Sequence, residues 1–299
     1  MRKKKAVQFK TKAGLILILV IFAGSYLILF KSLEKKKADS EQDVEIKKRL
    51  HKYILSGKET KPGQKTSKSD GSSKKKFLAI VIDDIGYDRS ALNDLLQIDA
   101  PITISILPHC RYSIESAEKS HQAGREILLH LPMEPLGYPE KNPGEGALLT
   151  EMDNERLRME LAGDLESVPY LIGVNNHMGS KLMENGPKLR KIFNLLKEKE
   201  LFFLDSRTTA NSKAKEAADA TGIGFVSRDV FIDNGQNAEE TYNNMRKALR
   251  EHTDWNKKVL IGHPYPSTIS ALKRVVKELP SEGIEIVPIS KILENTESP

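Results

Sequence analysis

Cysteine is almost missing from this chain. Cys110 is the single thiol in 299 residues, so no disulfide can form within it. A domain of this size needs no such staple, so the redox compartment stays open. Cys110 itself reads as a small residue at a strand end rather than a nucleophile. Internal repeats are absent too, which excludes a repeat architecture. Basic charge is missing where nucleic acid would require it. Residues 1–76 hold 21 Lys and Arg against 7 Asp and Glu, leaving 26 basic and 34 acidic residues for positions 77–299. The net charge of +6 therefore belongs to an N-terminal arm, and the part able to fold is acidic. A nucleic-acid-binding domain carries its basic patch on the folded surface, so no nucleic-acid partner is expected.

An apolar run stands near the start. In residues 1–12, Arg2, Lys3, Lys4, Lys5, Lys10 and Lys12 precede an uncharged stretch at 13–30 dominated by Leu, Ile, Val and Phe. Its length, at about 1.5 Å per residue, approaches the hydrocarbon thickness of a bilayer. A cleavable signal peptide opens the same way, but small residues should then follow the run. Here Tyr26, Leu27, Ile28, Leu29 and Phe30 lead straight into Lys31, so an uncleaved transmembrane anchor is expected. Those six cations outnumber Lys31, Lys35, Lys36 and Lys37 beyond the run. That bias favours a single pass through the inner (cytoplasmic) membrane, with the folded domain periplasmic or extracellular.

Residues 31–76 read as a Lys-rich stalk. Val44, Ile46, Leu50, Tyr53 and Ile54 give an imperfect helical period, and residues 56–76 have almost no apolar side chain to offset ordering entropy. The folded domain is expected at 77–292, with a tail at 293–299. Short runs rich in Val, Ile, Leu and Phe predict strands at 77–82, 102–107, 126–129, 171–174, 201–204, 224–226, 258–261 and 284–287. Helices are expected between them at 112–123, 153–165, 187–199, 238–252 and 267–278, the third opened by Asn185-Gly186-Pro187. Continuously apolar strands imply burial on both faces, as in parallel sheets. The expectation is an α/β fold, a distorted (β/α) barrel of seven or eight mostly parallel strands, with a doubly wound open sheet as the alternative.

The residues just past each strand carry the chemistry. Asp83-Asp84, Pro108-His109, His130, Asn175-Asn176-His177, Asp205-Ser206-Arg207, Arg228-Asp229 and Gly262-His263-Pro264 fall at successive strand ends. In parallel β/α folds those ends meet on one face, where active sites lie. Two adjacent carboxylates cannot both sit ionised in a low-dielectric spot without a cation nearby. One Asp binding a divalent metal beside a second acting as general base is a natural division. Imidazoles from other strands would complete the set; mixed N and O ligands suit zinc best, and a further His could protonate a leaving group. These parts make a hydrolase for an amide or ester.

Five segments then match a family. I-D-D-I-G (82–86), H-L-P-M-E-P (130–135), N-N-H-M-G-S (175–180), D-S-R-T (205–208) and G-H-P (262–264) resemble, in order, the divergent polysaccharide deacetylases, a branch of the NodB-type carbohydrate deacetylases. The resemblance implies a distorted NodB-type barrel and a metal-dependent carbohydrate deacetylase acting outside the bacterial cytoplasm on an acetylated envelope polysaccharide or peptidoglycan. It makes Asp83 the catalytic base, His263 the catalytic acid, and Asp84 and His130 metal ligands. Two departures stand out. Glu134 replaces the second histidine of the family's metal pair and could bind through a carboxylate oxygen. No Arg-Pro segment orients the base; Asn175, Asn176 and His177 stand there instead, so His177 is either a third metal ligand, the favoured reading, or a partner of Asp83. These departures keep open a glycan-binding or envelope-assembly protein that retains the pocket without turnover.

Asn175 and Asn176 are candidates for holding a sugar, with turn chemistry as the alternative. Asp205 and Arg207 either shape the substrate site or form a strand-capping ion pair. His109 lies at the right face but in no matched segment. The glycine- and proline-rich stretch 136–150 is expected as a loop over the site. His51, His121 and His252 are expected in solvent.

Overall fold

The computed structural model describes residues 75–235, 237–251 and 254–294. The expected anchor at 13–30, most of the stalk and most of the tail lie outside them. Among the described residues no helix is long and apolar enough to cross a membrane.

Nine strands form one sheet: β1 (Lys76–Ile85), β2 (Thr103–Ile106), β3 (Ile127–Met133), β4 (Leu171–Met178), β5 (Phe202–Asp205), β6 (Phe225–Ser227), β7 (Val230–Phe231), β8 (Lys257–Gly262) and β9 (Ile284–Ile286). Every pairing is parallel, in the order β6-β5-β4-β3-β2-β1-β8-β7, with β9 on the first residues of β1. The two ends of that order are consecutive in the chain. Only Arg228 and Asp229 separate β6 from β7. The Arg228 amide donates to the Asp205 carbonyl of β5 and the Asp229 amide to the Val259 carbonyl of β8. Two residues span roughly 10 Å at most, so the sheet must curl until its margins nearly meet. The result is the expected distorted barrel, open along one seam, and not the open sheet.

The helices are α1 (Arg89–Leu96), α2 (Ser113–Gln122), α3 (Asn154–Ser167), α4 (Gly186–Glu198), α5 (Ala214–Thr221), α6 (Ala238–Arg250), α7 (Pro266–Glu278) and α8 (Ile289–Glu294). Four begin on side-chain caps: Asp88, Asp153, Asn185 and Asn237 accept from backbone amides of the first turn. Each of the five helices expected from the sequence is present within two residues of its predicted bounds. Three more escaped the apolar pattern. Helix α5 buries only Ala214, Ala217 and Ala218, α1 only Leu92 and Leu95, and α8 is a single short segment near the end of the described chain. Strand β7, two residues long, is the ninth strand that the sequence did not reveal.

Three strands run further than expected. Strands β3 and β4 stay paired from Ile127↔Leu171 to Met133↔Met178, so His130, Asn175, Asn176 and His177 lie within the ladder rather than beyond it. Strand β1 continues through Asp83 and Asp84 to Ile85 by way of a register shift between Ile82 and Ile85. Leu78, Ile80, Ile82, Leu129, Leu131, Val174, Phe203 and Leu260 are buried in one hydrophobic cluster with helix side chains such as Leu92, Leu157 and Phe193. Phe203 stacks obliquely on Phe193 of α4, ring centres 4.6 Å apart. Phe203→Ala should cost about 3–5 kcal/mol by leaving a cavity between β5 and α4. Urea denaturation of the purified protein would measure it, and a loss below about 1 kcal/mol would contradict this packing.

Candidate metal and acid–base site

Adjacent residues of a regular strand point to opposite faces, so Asp83 and Asp84 should not reach one partner. They do so because Asp84 takes a left-handed backbone, φ 58°, within the irregular stretch of β1. Asp is among the few residues that tolerate this conformation, and such bulges re-aim side chains beside active sites. Both carboxylates consequently approach His130, whose Nε2 lies 3.7 Å from Asp83 Oδ2 and 3.2 Å from Asp84 Oδ1.

His177 completes the group from the neighbouring strand. The pairing Pro132↔His177 carries its ring alongside His130, and its Nδ1 stands 3.1 Å from both Asp84 Oδ1 and His130 Nε2. Three donor atoms from Asp84, His130 and His177 thus converge, the set that could hold a metal ion. Asp84 Oδ1 is buried and has no properly aligned hydrogen-bond partner despite those two close nitrogens. A buried carboxylate oxygen without a hydrogen bond is costly, and a cation would satisfy it. Ligands about 2.0–2.2 Å from a tetrahedral zinc stand roughly 3.3–3.6 Å apart, close to the spacing found here. The residues fit a divalent ion.

The electrostatics divide the two aspartates. Burial raises the Asp83 carboxyl above its ordinary range and outweighs the pull of His130 and Asn175. Burial acts on Asp84 in the same direction, but the His130 and His177 rings hold it well below that range. Burial of the His130 ring disfavours its charged form, and the flanking Asp83 and Asp84 carboxylates more than offset this, so its pKa is raised.

His263 enters from the other side, directly after β8. Its Nε2 is 4.0 Å from Asp84 Oδ2, and its Nδ1 is 3.0 Å from Asp233 Oδ1. Asp233 Oδ2 also accepts from the His263 amide at 2.5 Å and from Thr268 Oγ1 at 2.7 Å. Burial disfavours the charged ring, but Asp233, with Asp84 and Asp83, raises its pKa to about 9. Gly262 permits this approach: a Cβ there would stand 2.8 Å from Ile232 Cγ1 and 3.1 Å from Asp233 Oδ2. Asp233 escaped the sequence reading because β7 is two residues long; its one signal was an Asp closing the Val230-Phe231-Ile232 run.

Other predicted residues lie elsewhere. Glu134 is outside the converging group: Lys181 Nζ reaches its Oε1 at 2.6 Å, and the Thr150 amide and hydroxyl reach its Oε2 at 2.6 Å. Its carboxylate fastens the end of the 136–150 loop, which also returns to β3 through Leu148. Asn175 and Asn176 are buried, at 0% and 1% exposure, which leaves no surface for a sugar. Asn176 is spent on Met178, Thr208 and Ser206. Asp205 binds the Arg207 amide and Ser212 Oγ, so of the two readings the capping ion pair does not form, and the Arg207 side chain is exposed. His121, expected in solvent, is buried and stacks on Tyr170 with ring centres 4.0 Å apart. His51 and His252 lie outside the described residues.

His109 meets a different carboxylate. Its Nε2 is 2.9 Å from Asp164 Oδ1 of α3, while Asp164 Oδ2 is buried without a hydrogen bond. Burial, with Glu160 and Glu145 nearby, pushes the Asp164 carboxyl up to about 8. A carboxyl that stays protonated on folding stabilises fully below the unfolded value of about 4, and this contribution is lost as pH rises toward 8. Asp164→Asn cannot ionise, so its stability should fall less between pH 5 and 8 than that of the parent protein. Thermal melts across that range test this, and parallel curves would contradict it.

Comparisons with known proteins agree with this fold. The divergent polysaccharide deacetylase family matches residues 80–293. The chain is 37% identical over 217 residues to the uncharacterized protein YibQ of Escherichia coli K12, covering 72% of this chain and 67% of that one. An uncharacterized protein of Haemophilus influenzae is 31% identical over 218 residues, covering 73% and 77%. A solved structure of an uncharacterized protein from Agrobacterium tumefaciens C58 superposes with a TM-score of 0.69 at 20% identity, over 82% of this chain and 94% of that one. The chain is a member of the divergent polysaccharide deacetylase family, with the curled parallel barrel that its sequence implied.

Proposed function

We propose that this protein is a metal-dependent carbohydrate deacetylase acting on an acetylated envelope glycan such as peptidoglycan, tethered to the cytoplasmic membrane by residues 13–30 with its barrel outside. The observation that carries the reading is the convergence of Asp84, His130 and His177 on one point, flanked by Asp83 and His263. In this reading Asp84, His130 and His177 hold the ion, zinc by the chemistry of the donor set. The ion would polarise the acetyl carbonyl and increase the acidity of the attacking water. Asp83, buried and drawn toward neutrality, is the proton acceptor. His263, protonated at neutral pH and fixed through Nδ1 by Asp233, presents Nε2 to give a proton to the departing amine or alcohol. Glu134 is assigned to the loop and not to the metal. Of the residues expected to meet substrate, Arg207 alone is exposed and stays a candidate contact.

A second reading, glycan binding or envelope assembly without turnover, draws support from one observation. Asp83 is 1% exposed, and a base must reach the attacking water. Full-length protein loaded with zinc should release acetate from N- or O-acetylated glycans. Asp83→Asn should lower the rate by about 10²–10⁴-fold, and His263→Asn should also impair it. Asp84→Ala should abolish stoichiometric zinc in metal analysis. Absence of acetate across a panel of acetylated sacculi and oligosaccharides, with binding intact in Asp83→Asn, would favour the second reading. Absence of bound metal in the parent protein would remove the hydrolase reading's main support.

A further inference from the structure

Asn175 is the most connected polar side chain beneath the site, and it touches both halves of the chemistry. It has no exposed surface, yet all its hydrogen-bonding capacity is used. Its Oδ1 receives Ser105 Oγ at 2.5 Å and faces His130 Nδ1 at 3.0 Å. Its Nδ2 donates to Asp83 Oδ1 at 2.9 Å and to Ser206 Oγ at 3.1 Å. One amide therefore joins the proposed base to a proposed metal ligand. The two serine hydroxyls can each donate or accept, so they do not fix which way the amide lies. The contact with Asp83 does: there Nδ2 is the donor, to Asp83 Oδ1 at 2.9 Å. With Nδ2 fixed on Asp83, Oδ1 must face His130, and Nδ1 of that ring must carry the proton. The other ring nitrogen, Nε2, faces Asp84 and His177 and is the one a metal would take, in exchange for any proton it carries.

We infer that Asn175 is a positioning residue that fixes His130 in the tautomer able to bind a metal and transmits the orientation of Asp83 to that ligand. Partners of this kind orient metal-binding histidines elsewhere, and their loss typically weakens metal affinity about 10–100-fold. Here the partner of the ligand is also the partner of the base, so one substitution disturbs both. The inference rests on the deacetylase reading for the role of Asp83, but it predicts something measurable without metal or turnover.

The test is the ring nitrogen spectrum of His130 in full-length, metal-free, ¹⁵N-histidine-labelled protein at pH 8, paired with zinc titration against a competing chelator. The parent protein should show His130 protonated at Nδ1, whether or not Nε2 also carries a proton beside Asp84. Asn175→Leu should give a mixture of tautomers and bind zinc about 10–100-fold more weakly. Asn175→Asp keeps an acceptor for Nδ1, so the tautomer should persist, while the second carboxylate against Asp83 should lower acetate release. A parent His130 bare at Nδ1 overturns the inference. So does Asn175→Leu with unchanged tautomer and unchanged zinc affinity. Should Asn175→Leu not fold, the parent and Asn175→Asp spectra decide, since loss of the Nδ1 proton in either contradicts it. The expected tautomer without zinc binding would sink the metal reading alone. Zinc binding with the opposite tautomer would sink the inference alone.

Discussion

The register between β3 and β4 is the constraint on which the site depends. Seven paired positions from Ile127 to Met133 hold these strands in parallel, and within them His130 faces Asn175 and Pro132 faces His177. Side chains of a strand alternate between faces, so a slip of one residue would carry either His130 or the Asn175 and His177 pair to the other face of the sheet, where Leu129, Leu131 and Val174 pack. The apolar side chains on the same ladder, Leu129, Leu131 and Val174, are fully buried and would be displaced by the same slip. Packing energy thus sets the geometry of the polar residues. The two histidines approach because the hydrophobic core fixes where their strands sit.

Against that fixed pair, β1 supplies the irregular element. A regular strand would show only one of Asp83 and Asp84 to His130. The left-handed backbone at Asp84 brings both, and their environments then separate them. Asp83 sits deeper, held by an amide, and is pushed toward neutrality. Asp84 sits between two imidazoles and stays ionised. Two identical residues, adjacent in sequence, acquire different capacities from a single backbone angle and from what each touches.

The barrel seam provides the remaining member. Because Arg228 and Asp229 alone join β6 to β7, the chain crosses the seam and lays Val230–Phe231 against β8. Asp233 follows after Ile232 and meets His263 at the end of β8 through both the amide and the ring of that histidine. Closure of the sheet and placement of His263 are therefore one event in the fold.

Much of this was legible in the sequence, for physical reasons. Strands buried on both faces must be continuously apolar, so the alternation of such runs with helical stretches disclosed the parallel barrel. A cap such as Asn185 before Pro187 acts over a few residues and can be read locally. The polar residues near strand ends, Asp83, Asp84, His130, His177 and His263, could be collected because the parallel architecture sends those ends to one face. Partnership could not be read that way. Glu134 stood where a metal ligand was expected, yet Lys181, 47 residues on, occupies it. Asn175 stood where a sugar contact was expected, yet it is sealed between Asp83, 92 residues before, and Ser206, 31 residues after. Asp233 lay behind a strand too short to carry a pattern. The sequence by itself determined which side chains are available at the barrel mouth, because burial and periodicity are local signals. The tertiary structure decided what each of them holds, because hydrogen bonds between side chains depend on register and distance across the sheet.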